Sequence, residues 1–268
     1  MAIVEVIRQD SIARVVLERP PLNVIDLDAA RELAHALEDV QRLEGLVAVV
    51  LAARGKAFCA GVDVRDHLPD RGAAMLAEFH RVCRLLLGIE APVVAAVQGP
   101  ALGGGMELTL VCDLVVASSR ATFSQPEIRL GVFPPLAAAA LPHLVPFHVA
   151  SELVLTGRVL TADEALRHGL VNRVAPAEEF DAAVEGLLAE LRALSPASLR
   201  LAKRALRLGR WRPEPDEIET AERFYVEQLM RSPDAVEGLT AFLEKRPPVW
   251  GGAPRPAQPP PVTAPGSP

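Results

Sequence analysis

The sequence predicts an α/β fold followed by a helical C-terminal region. Two short apolar runs, residues 46–51 (LVAVVL) and 92–97 (PVVAAV), are separated by a stretch with helical periodicity. That order is typical of strands buried on both faces and joined by right-handed βαβ crossovers. In the second half, amphipathic stretches divided by prolines replace the apolar runs, which indicates helices.

Hydrophobic spacing assigns the elements of the first half. Residues 3–7 and 12–17 are rich in β-branched residues and predict a pair of strands, which the prolines at 20 and 21 terminate. Between residues 28 and 43, apolar side chains recur every three or four positions, as on a helix with one buried face. The next predicted elements are a strand at 46–51, a helix at 73–87, and strands at 92–97 and 114–117.

Helices dominate the second half. The segments with helical periodicity are residues 136–155, 162–167, 178–194, 197–208, 215–230 and 235–245. From residue 251 onward, the tail is rich in Pro, Ala and Gly, and it cannot bury enough apolar surface to become ordered. We therefore divide the chain into a core at 1–195, a helical region at 196–250 and a disordered tail at 251–268.

Composition and charge limit the possible functions. The 28 basic and 34 acidic residues give a net charge of −6, which disfavours broad binding to nucleic acid or to an anionic membrane. The three cysteines lack the spacing of a zinc site, and no apolar run approaches the roughly 20 residues that cross a bilayer. The sequence therefore predicts a soluble cytoplasmic protein with no structural metal and no disulfide scaffold.

Two glycine-bearing loops follow predicted buried strands. Residues 55–63 (GKAFCAGVD) come after the strand at 46–51, and residues 99–105 (GPALGGG) come after the strand at 92–97. Open α/β sheets bind ligands beyond the carboxyl ends of their strands, and glycine lets backbone N–H groups approach a ligand. The second loop also opens a helix, whose first N–H groups are unpaired. The loops can present donors to an anion or a developing oxyanion, or they can be simple tight turns.

Two glutamates lie in apolar segments near these loops. Glu107 stands two residues after Gly105, and Glu127 follows the short segment FSQP. Two carboxyls in apolar surroundings would have their protonation divided by repulsion and desolvation, giving one acid and one base beside a carbonyl group. On spacing alone, Glu107 can also be an ordinary helix residue and Glu127 a surface charge.

The chain resembles the crotonase superfamily, which contains enoyl-CoA hydratases and isomerases. The resemblance extends from about residue 10 to 250 and depends on GKAFCAGVD, GPALGGGMELTLVCDLVVAS, ATFSQPEIRLG, ASELVLTGRVLTADEALRHGLVNRV and EGLTAFLEKRPP, in that order. It implies the α/β crotonase-like ββα spiral with a helical C-terminal subdomain. In this family the C-terminal region, here 196–250, mediates trimers that often pair into hexamers.

The resemblance also implies an active site. The oxyanion hole would use the N–H groups of Val62 and Gly104, and the glutamates that flank the acyl group in the family's hydratases match Glu107 and Glu127. Glu127 is then the main acid/base and Glu107 orients the water, with no metal and no permanently bound cofactor. Retention of both carboxyls favours hydration of a 2-enoyl-CoA or cyclic dienoyl-CoA. The alternatives are a Δ3,Δ2-enoyl-CoA isomerase, which would use Glu127 alone, and a non-catalytic acyl-CoA binding protein.

Coenzyme A, as part of the thioester substrate, is a polyanion and needs local positive charge. We expect cations to contact its phosphates, one of them across a subunit boundary, while backbone groups hold the adenine and a phenylalanine packs on the ligand. The candidates are Lys56, Arg65 and, across the subunit boundary, Lys245 for the phosphates, Ala57, Ala60 and Asp63 for the adenine, and Phe242 for packing. The three cations can equally be ordinary surface charges.

The sequence departs from the family after Glu127. Family hydratases usually continue into a Gly-Gly-Thr-Gln-Arg run, whereas residues 131–136 here read GVFPPL and four alanines follow. The FPP segment is similar to that of cyclohexa-1,5-diene-1-carbonyl-CoA hydratases, whose acyl group is a flat ring. Its prolines could shape a slot for such a ring, but we favour a scaffold variation. His67 and His80 are better explained as surface or hydrogen-bonded residues than as a third catalytic group.

Overall fold

The described part of the chain contains two β-sheets. The computed structural model describes residues 3–208 and 215–250, so the predicted disordered tail at 251–268 lies outside the described residues. The larger sheet has six strands in the order β1 (Val4–Gln9), β2 (Ile12–Leu17), β3 (Ala48–Ala53), β4 (Val93–Val97), β6 (Leu114–Ser118) and β9 (Arg173–Ala175). The smaller sheet has the order β5 (Ala101–Leu102), β7 (Thr122–Ser124) and β8 (Val159–Thr161).

The pairing of the larger sheet agrees with the predicted α/β class. β1 and β2 form an antiparallel pair, with Val4 opposite Leu17. From β2 onward every pair in this sheet is parallel. All five residues of β4 are buried, because helices or loops cover both faces of the sheet. The α/β class is confirmed.

Helices pack on both faces of the larger sheet. Their bounds are α1 (Leu27–Gln41), α2 (Gly72–Gly88), α3 (Gly104–Leu110), α4 (Pro135–Leu144), α5 (Phe147–Thr156), α6 (Ala162–Arg167), α7 (Phe180–Arg192), α8 (Pro196–Leu208), α9 (Pro215–Arg223) and α10 (Pro233–Leu243). α1 follows the predicted spacing, since Leu33, Leu37 and Val40 are buried on one face. Asp26 caps its start by accepting a hydrogen bond from the backbone N–H of Ala29.

Two predicted helices are divided in the structure. The helix predicted at 136–155 is two helices, α4 and α5, because Val145 is extended ahead of Pro146. The helix predicted at 215–230 ends as an α-helix at Arg223 and continues as a π-helical turn, Phe224–Gln228, and a 3-10 turn, Leu229–Arg231. Hydrophobic periodicity does not distinguish these turns from an α-helix over so few residues.

The C-terminal helices share the main core with the sheet. Ile218, Tyr225, Met230 and Leu239 belong to the same apolar cluster as the helix α1 and the strand β4. α10 packs against two 3-10 turns, Val64–His67 and Pro126–Leu130, which lie beside the two loops discussed below. The role of 196–250 in self-association stays a prediction.

A smaller cluster lies on the opposite face of the larger sheet. There Phe180 and Leu188 of α7 cover strand residues such as Val50 and Val94. Within residues 3–208 and 215–250, none of the helices has the length and apolar character to cross a membrane.

Candidate active site

The first glycine loop turns the N–H of Val62 away from Ile25. Ile25 donates its backbone N–H to the carbonyl of Gly61 at 2.9 Å, and Asp63 donates its N–H to the carbonyl of Ile25 at 2.8 Å. The carbonyl of Gly61 and the N–H of Val62 belong to one trans peptide unit and therefore point in opposite directions. Since the carbonyl faces Ile25, the N–H of Val62 faces the other side of the loop.

The second glycine loop packs directly against the first. Leu102 donates its N–H to the carbonyl of Cys59 at 2.9 Å, which joins the two loops. A side-chain carbon at Gly61 would lie 3.0 Å from the carbonyl oxygen of Leu102 and 3.6 Å from the backbone nitrogen of Gly104. A side-chain carbon at Gly105 would collide with the carbonyl oxygen of Cys59. Glycine is therefore required where the backbones meet.

The N–H groups of Val62 and Gly104 are unpaired. Gly104 is the first residue of α3, where an N–H has no acceptor within the helix. In the part of the chain that the structure describes, neither N–H donates to a protein acceptor. The structure thus leaves two free donors on loops in contact.

Glu127 lies against the start of α3. It is buried in the 3-10 turn Pro126–Leu130, and its Oε1 occupies the space that a side chain at Gly103 would need. Gly103 has φ of +52°, a left-handed conformation that suits glycine. Among the described residues, Oε2 of Glu127 has no hydrogen-bond partner. Burial, together with the charge of Glu107, raises the pKa of Glu127 to about 8.

Glu107 is held differently. Its side chain projects from α3, and its Oε1 accepts a 2.8 Å hydrogen bond from the backbone N–H of Ala137 in the first turn of α4. Burial raises the pKa of Glu107, while the charge of His80 and the N–H groups of Ala137 and Leu136 oppose that rise. The two carboxyls therefore have unequal environments, because Glu107 has backbone donors from α4 and Oε2 of Glu127 has none.

This arrangement agrees with comparisons to known proteins. The model of the enoyl-CoA hydratase/isomerase family matches residues 7–253. The chain belongs to this family. It is 39% identical over 243 residues to a cyclohexa-1,5-dienecarbonyl-CoA hydratase of Thauera aromatica, covering 91% of this chain and 94% of the relative. It is 33% identical over 250 residues to a short-chain-enoyl-CoA hydratase of Clostridium acetobutylicum, covering 89% of this chain and 94% of the relative.

Solved structures show the same fold. A carnitinyl-CoA hydratase from Mycobacterium avium superposes with a TM-score of 0.83 at 34% identity and covers 94% of this chain and 100% of that one. An enoyl-CoA hydratase from Mycobacterium avium subsp. paratuberculosis superposes with a TM-score of 0.82 at 30% identity. The match covers 93% of this chain and 99% of that one. The crotonase-like ββα spiral predicted from the motifs is therefore confirmed.

The sequence offered no reason to expect the hydroxyl of Tyr225 beside the two glutamates of this family member. Tyr225, the single tyrosine of the chain, is buried in the π-helical turn, and its hydroxyl has no hydrogen-bond partner in the described part of the chain. Its ring packs edge-on against Phe133, with centroids 5.7 Å apart. Burial raises the pKa of Tyr225, and the charges of Glu127 and Glu107 raise it further. The only available signal was the rarity of tyrosine in the sequence.

The two histidines considered in the sequence, His67 and His80, are both buried. His67 Nδ1 lies 3.0 Å from the carbonyl oxygen of Asp63, so the expectation of a hydrogen-bonded histidine is correct for His67. His80 Nδ1 pairs with Glu222 of α9, but its Nε2 has no partner among the described residues. For His80, therefore, the expectation holds for one ring nitrogen only.

The residues expected to bind coenzyme A divide into two groups. In the first loop, Lys56 and Arg65 are exposed, and Arg65 pairs with Asp63 at 2.5 Å. The hydrogen bonds from Arg65 lower the pKa of Asp63, so Arg65 faces a carboxylate within its own loop. At the end of α10, Phe242 and Lys245 are exposed. Contact of either group with coenzyme A stays a prediction.

Part of the backbone proposed to hold adenine is already engaged within the protein. The carbonyl of Ala57 accepts hydrogen bonds from the side chains of Asn23 and Gln98, each at 2.9 Å. Ala60 donates its N–H to the carbonyl of Leu22, and the N–H of Asp63 is bonded to Ile25 as described above. An adenine at this loop must therefore use other groups, such as the N–H of Ala57 and the carbonyl of Ala60. Within residues 3–208 and 215–250, no three His, Cys, Asp or Glu side chains cluster as they would around a metal ion.

Proposed function

We propose that the protein hydrates the α,β double bond of a 2-enoyl-CoA or cyclic dienoyl-CoA thioester. The observation that carries this proposal is the pair of buried glutamates with unequal environments beside two unpaired backbone donors. Membership of the enoyl-CoA hydratase/isomerase family supports it, as do relatives whose names describe hydration of such thioesters.

The backbone donors would act on the thioester oxygen. In this proposal the N–H groups of Val62 and Gly104 bind that oxygen and polarise the conjugated double bond, so that the β-carbon becomes electrophilic. They also stabilise the enolate that forms when water adds. Removing one donor of an oxyanion hole typically costs about 3–4 kcal/mol of transition-state stabilisation.

The glutamates would move the protons. Glu107, bound by the N–H groups at the start of α4, is the better candidate for an ionised carboxylate that accepts a proton from the attacking water. Glu127, with a pKa of about 8, is protonated at neutral pH and can deliver a proton to the α-carbon. The catalyst is restored when the proton taken up by Glu107 passes to Glu127. Glu107 is then the general base and Glu127 the general acid, whereas the resemblance implied that Glu127 is the main acid/base and that Glu107 only orients the water.

Coenzyme A is bound as part of the substrate in this proposal, with no permanently bound cofactor. Lys56 is the first candidate for its phosphates, since Arg65 is paired with Asp63. A phosphate contact from Lys245 of a neighbouring subunit, packing of Phe242 on the ligand, assembly into trimers or hexamers, and a cytoplasmic location are further parts of the proposal. The net charge of −6 predicts no nucleic acid and no membrane as partners.

Isotope labelling tests the reaction. We expect incubation with a four-carbon 2-enoyl-CoA in H2(18)O to give a 3-hydroxyacyl-CoA that carries one labelled oxygen. Migration of a double bond without oxygen uptake would favour the Δ3,Δ2-isomerase instead. Binding of every thioester without turnover would favour a non-catalytic acyl-CoA binding protein.

A panel of thioesters tests the substrate class. It should contain short, long and cyclic dienoyl-CoA thioesters, because the ring pair Phe133 and Tyr225 offers aromatic edges to a flat acyl group. The 39% identity to the Thauera aromatica hydratase supports including the cyclic compound. The ranking of kcat/KM across the panel assigns the acyl group.

A further inference from the structure

The hydroxyl of Tyr225 is a buried donor without a protein acceptor. Its side chain is 1% exposed, and in the described part of the chain nothing accepts from or donates to its oxygen. Buried polar groups are nearly always hydrogen-bonded, and exceptions commonly mark a place that a ligand or water fills. A phenylalanine would fill the same space without the cost of the unpaired hydroxyl.

Tyr225 packs on the segment that connects the two glutamates. Its ring contacts Phe133, which lies between the turn that carries Glu127 and the helix whose N–H binds Glu107. The charges of both carboxyls raise the pKa of the phenol, in agreement with the contact of its ring with the segment between them. Oε2 of Glu127 is also buried and unpaired, so an unused donor and an unused acceptor lie on segments that meet at Phe133. They do not bond to each other, so an oxygen atom between them would satisfy both.

We propose that the hydroxyl of Tyr225 donates a hydrogen bond to the oxygen atom that the reaction adds to the β-carbon. This inference rests on the proposed hydration. Before addition, that oxygen belongs to the bound water, whose hydrogens face the carboxyl groups. Tyr225 binds one lone pair and leaves the other to attack the β-carbon. After addition, the same oxygen is the 3-hydroxyl of the product, and Tyr225 still donates to it. Tyr225 gives up no proton in this step.

The variant Tyr225→Phe tests the inference, because it removes only the hydroxyl and keeps the ring packing. We expect kcat to fall about 10- to 100-fold, with KM for the enoyl-CoA changed by less than about threefold. We also expect binding of a 3-hydroxyacyl-CoA to weaken about tenfold, while binding of the saturated acyl-CoA of the same length is unchanged. A purely structural tyrosine would not change that selectivity. The melting temperature of the variant should be equal to or above that of the wild type.

Phe224→Leu is the matched control, because Phe224 lies on the same π-helical turn and is exposed. It should leave kcat and the preference for the 3-hydroxyacyl thioester unchanged. If the wild type hydrates its substrate and Tyr225→Phe keeps both kcat and that preference, the inference is wrong and the proposed function stands. If the wild type hydrates none of the thioesters, the proposed function is wrong and the inference fails with it.

Discussion

The backbone N–H of Ala137 binds the carboxylate of Glu107. Ala137 is the third residue of α4, and N–H groups at that position have no acceptor within the helix. The helix begins at Pro135, a residue that is tolerated there because its missing N–H would be unpaired in any case. The FPP segment, where the sequence departs from the usual family pattern, therefore begins the helix that orients one carboxyl of the proposed site.

Replacing Glu127 by glutamine should remove the proton donor and leave the ligand contacts in place. We expect kcat to fall about 10²- to 10⁴-fold, which is the usual contribution of a general acid or base. Binding of a saturated acyl-CoA, measured by calorimetry, should change by only a few-fold. A parallel loss of binding and turnover would show that Glu127 has a structural role instead.

Activity should decrease on the basic side of about pH 8. Glu127 has a pKa of about 8 and must be protonated to deliver a proton to the α-carbon. At low pH the rate should also decrease, because Glu107 must be ionised to accept a proton from water. The measurement is kcat/KM for hydration from pH 5 to 10. A rate that is independent of pH between 7 and 9.5 would contradict the assignment of Glu127.

The same carboxyl should make folding stability depend on pH. Its pKa is near 4.5 in the unfolded chain and about 8 in the folded protein, so between these values only the folded state holds the proton. The free energy of unfolding should therefore decrease as the pH rises from 4.5 to 8, by at most about 1.4 kcal/mol per pH unit. Glu127→Gln should flatten this dependence in urea unfolding experiments at pH 5 and pH 8. If the free energy of unfolding changes equally with pH in the variant and the wild type, Glu127 does not cause this dependence.

Replacing Gly103 by alanine should displace the carboxyl of Glu127. The new methyl group would collide with Oε1, and Gly103 also has a positive φ. Gly169→Ala is the matched control, because Gly169 has φ of +80° and no atom lies within 4 Å of the added carbon. Both variants should lose about 1–2 kcal/mol of stability from backbone strain. We expect only Gly103→Ala to lose kcat as well, about tenfold or more.

Replacing Gly104 by proline should remove one donor of the proposed oxyanion hole. Proline is tolerated at the first position of a helix, so the start of α3 can be kept. We expect kcat to fall about 10²- to 10³-fold. Gly104→Ala is the comparison, because it keeps the N–H and adds only a methyl group, 2.9 Å from Cγ2 of Val62. If the alanine variant is as inactive as the proline variant, the decrease in kcat comes from steric crowding and not from removal of the N–H of Gly104.

The sequence predicted those parts of the fold in which one pattern lasts for at least five residues. β1, β2 and α1 lie close to their predicted positions, because their buried faces repeat regularly. The strands β5, β7, β8 and β9 were missed, since each has only two or three residues. Their positions depend on pairing with distant parts of the chain, which no local pattern records.

The candidate site shows the same limit. Glu107 and Glu127 were found because each stands in a motif of consecutive residues. The N–H of Ala137 was missed because any residue supplies one, and its value here comes from where α4 begins. Tyr225 was missed because it approaches the glutamates from about a hundred residues further along the chain and through a π-helical turn.

The shared core has a consequence for synthesis of the protein. Tyr225, Met230 and Leu239 pack into the same apolar cluster as the loops and strands formed by the first half of the chain. A nascent chain that has left the ribosome only as far as α7 therefore lacks the part of this cluster that Tyr225, Met230 and Leu239 supply, even though both glutamates of the proposed site have been synthesised. Catalytic competence comes late, after nearly the whole polypeptide has been translated.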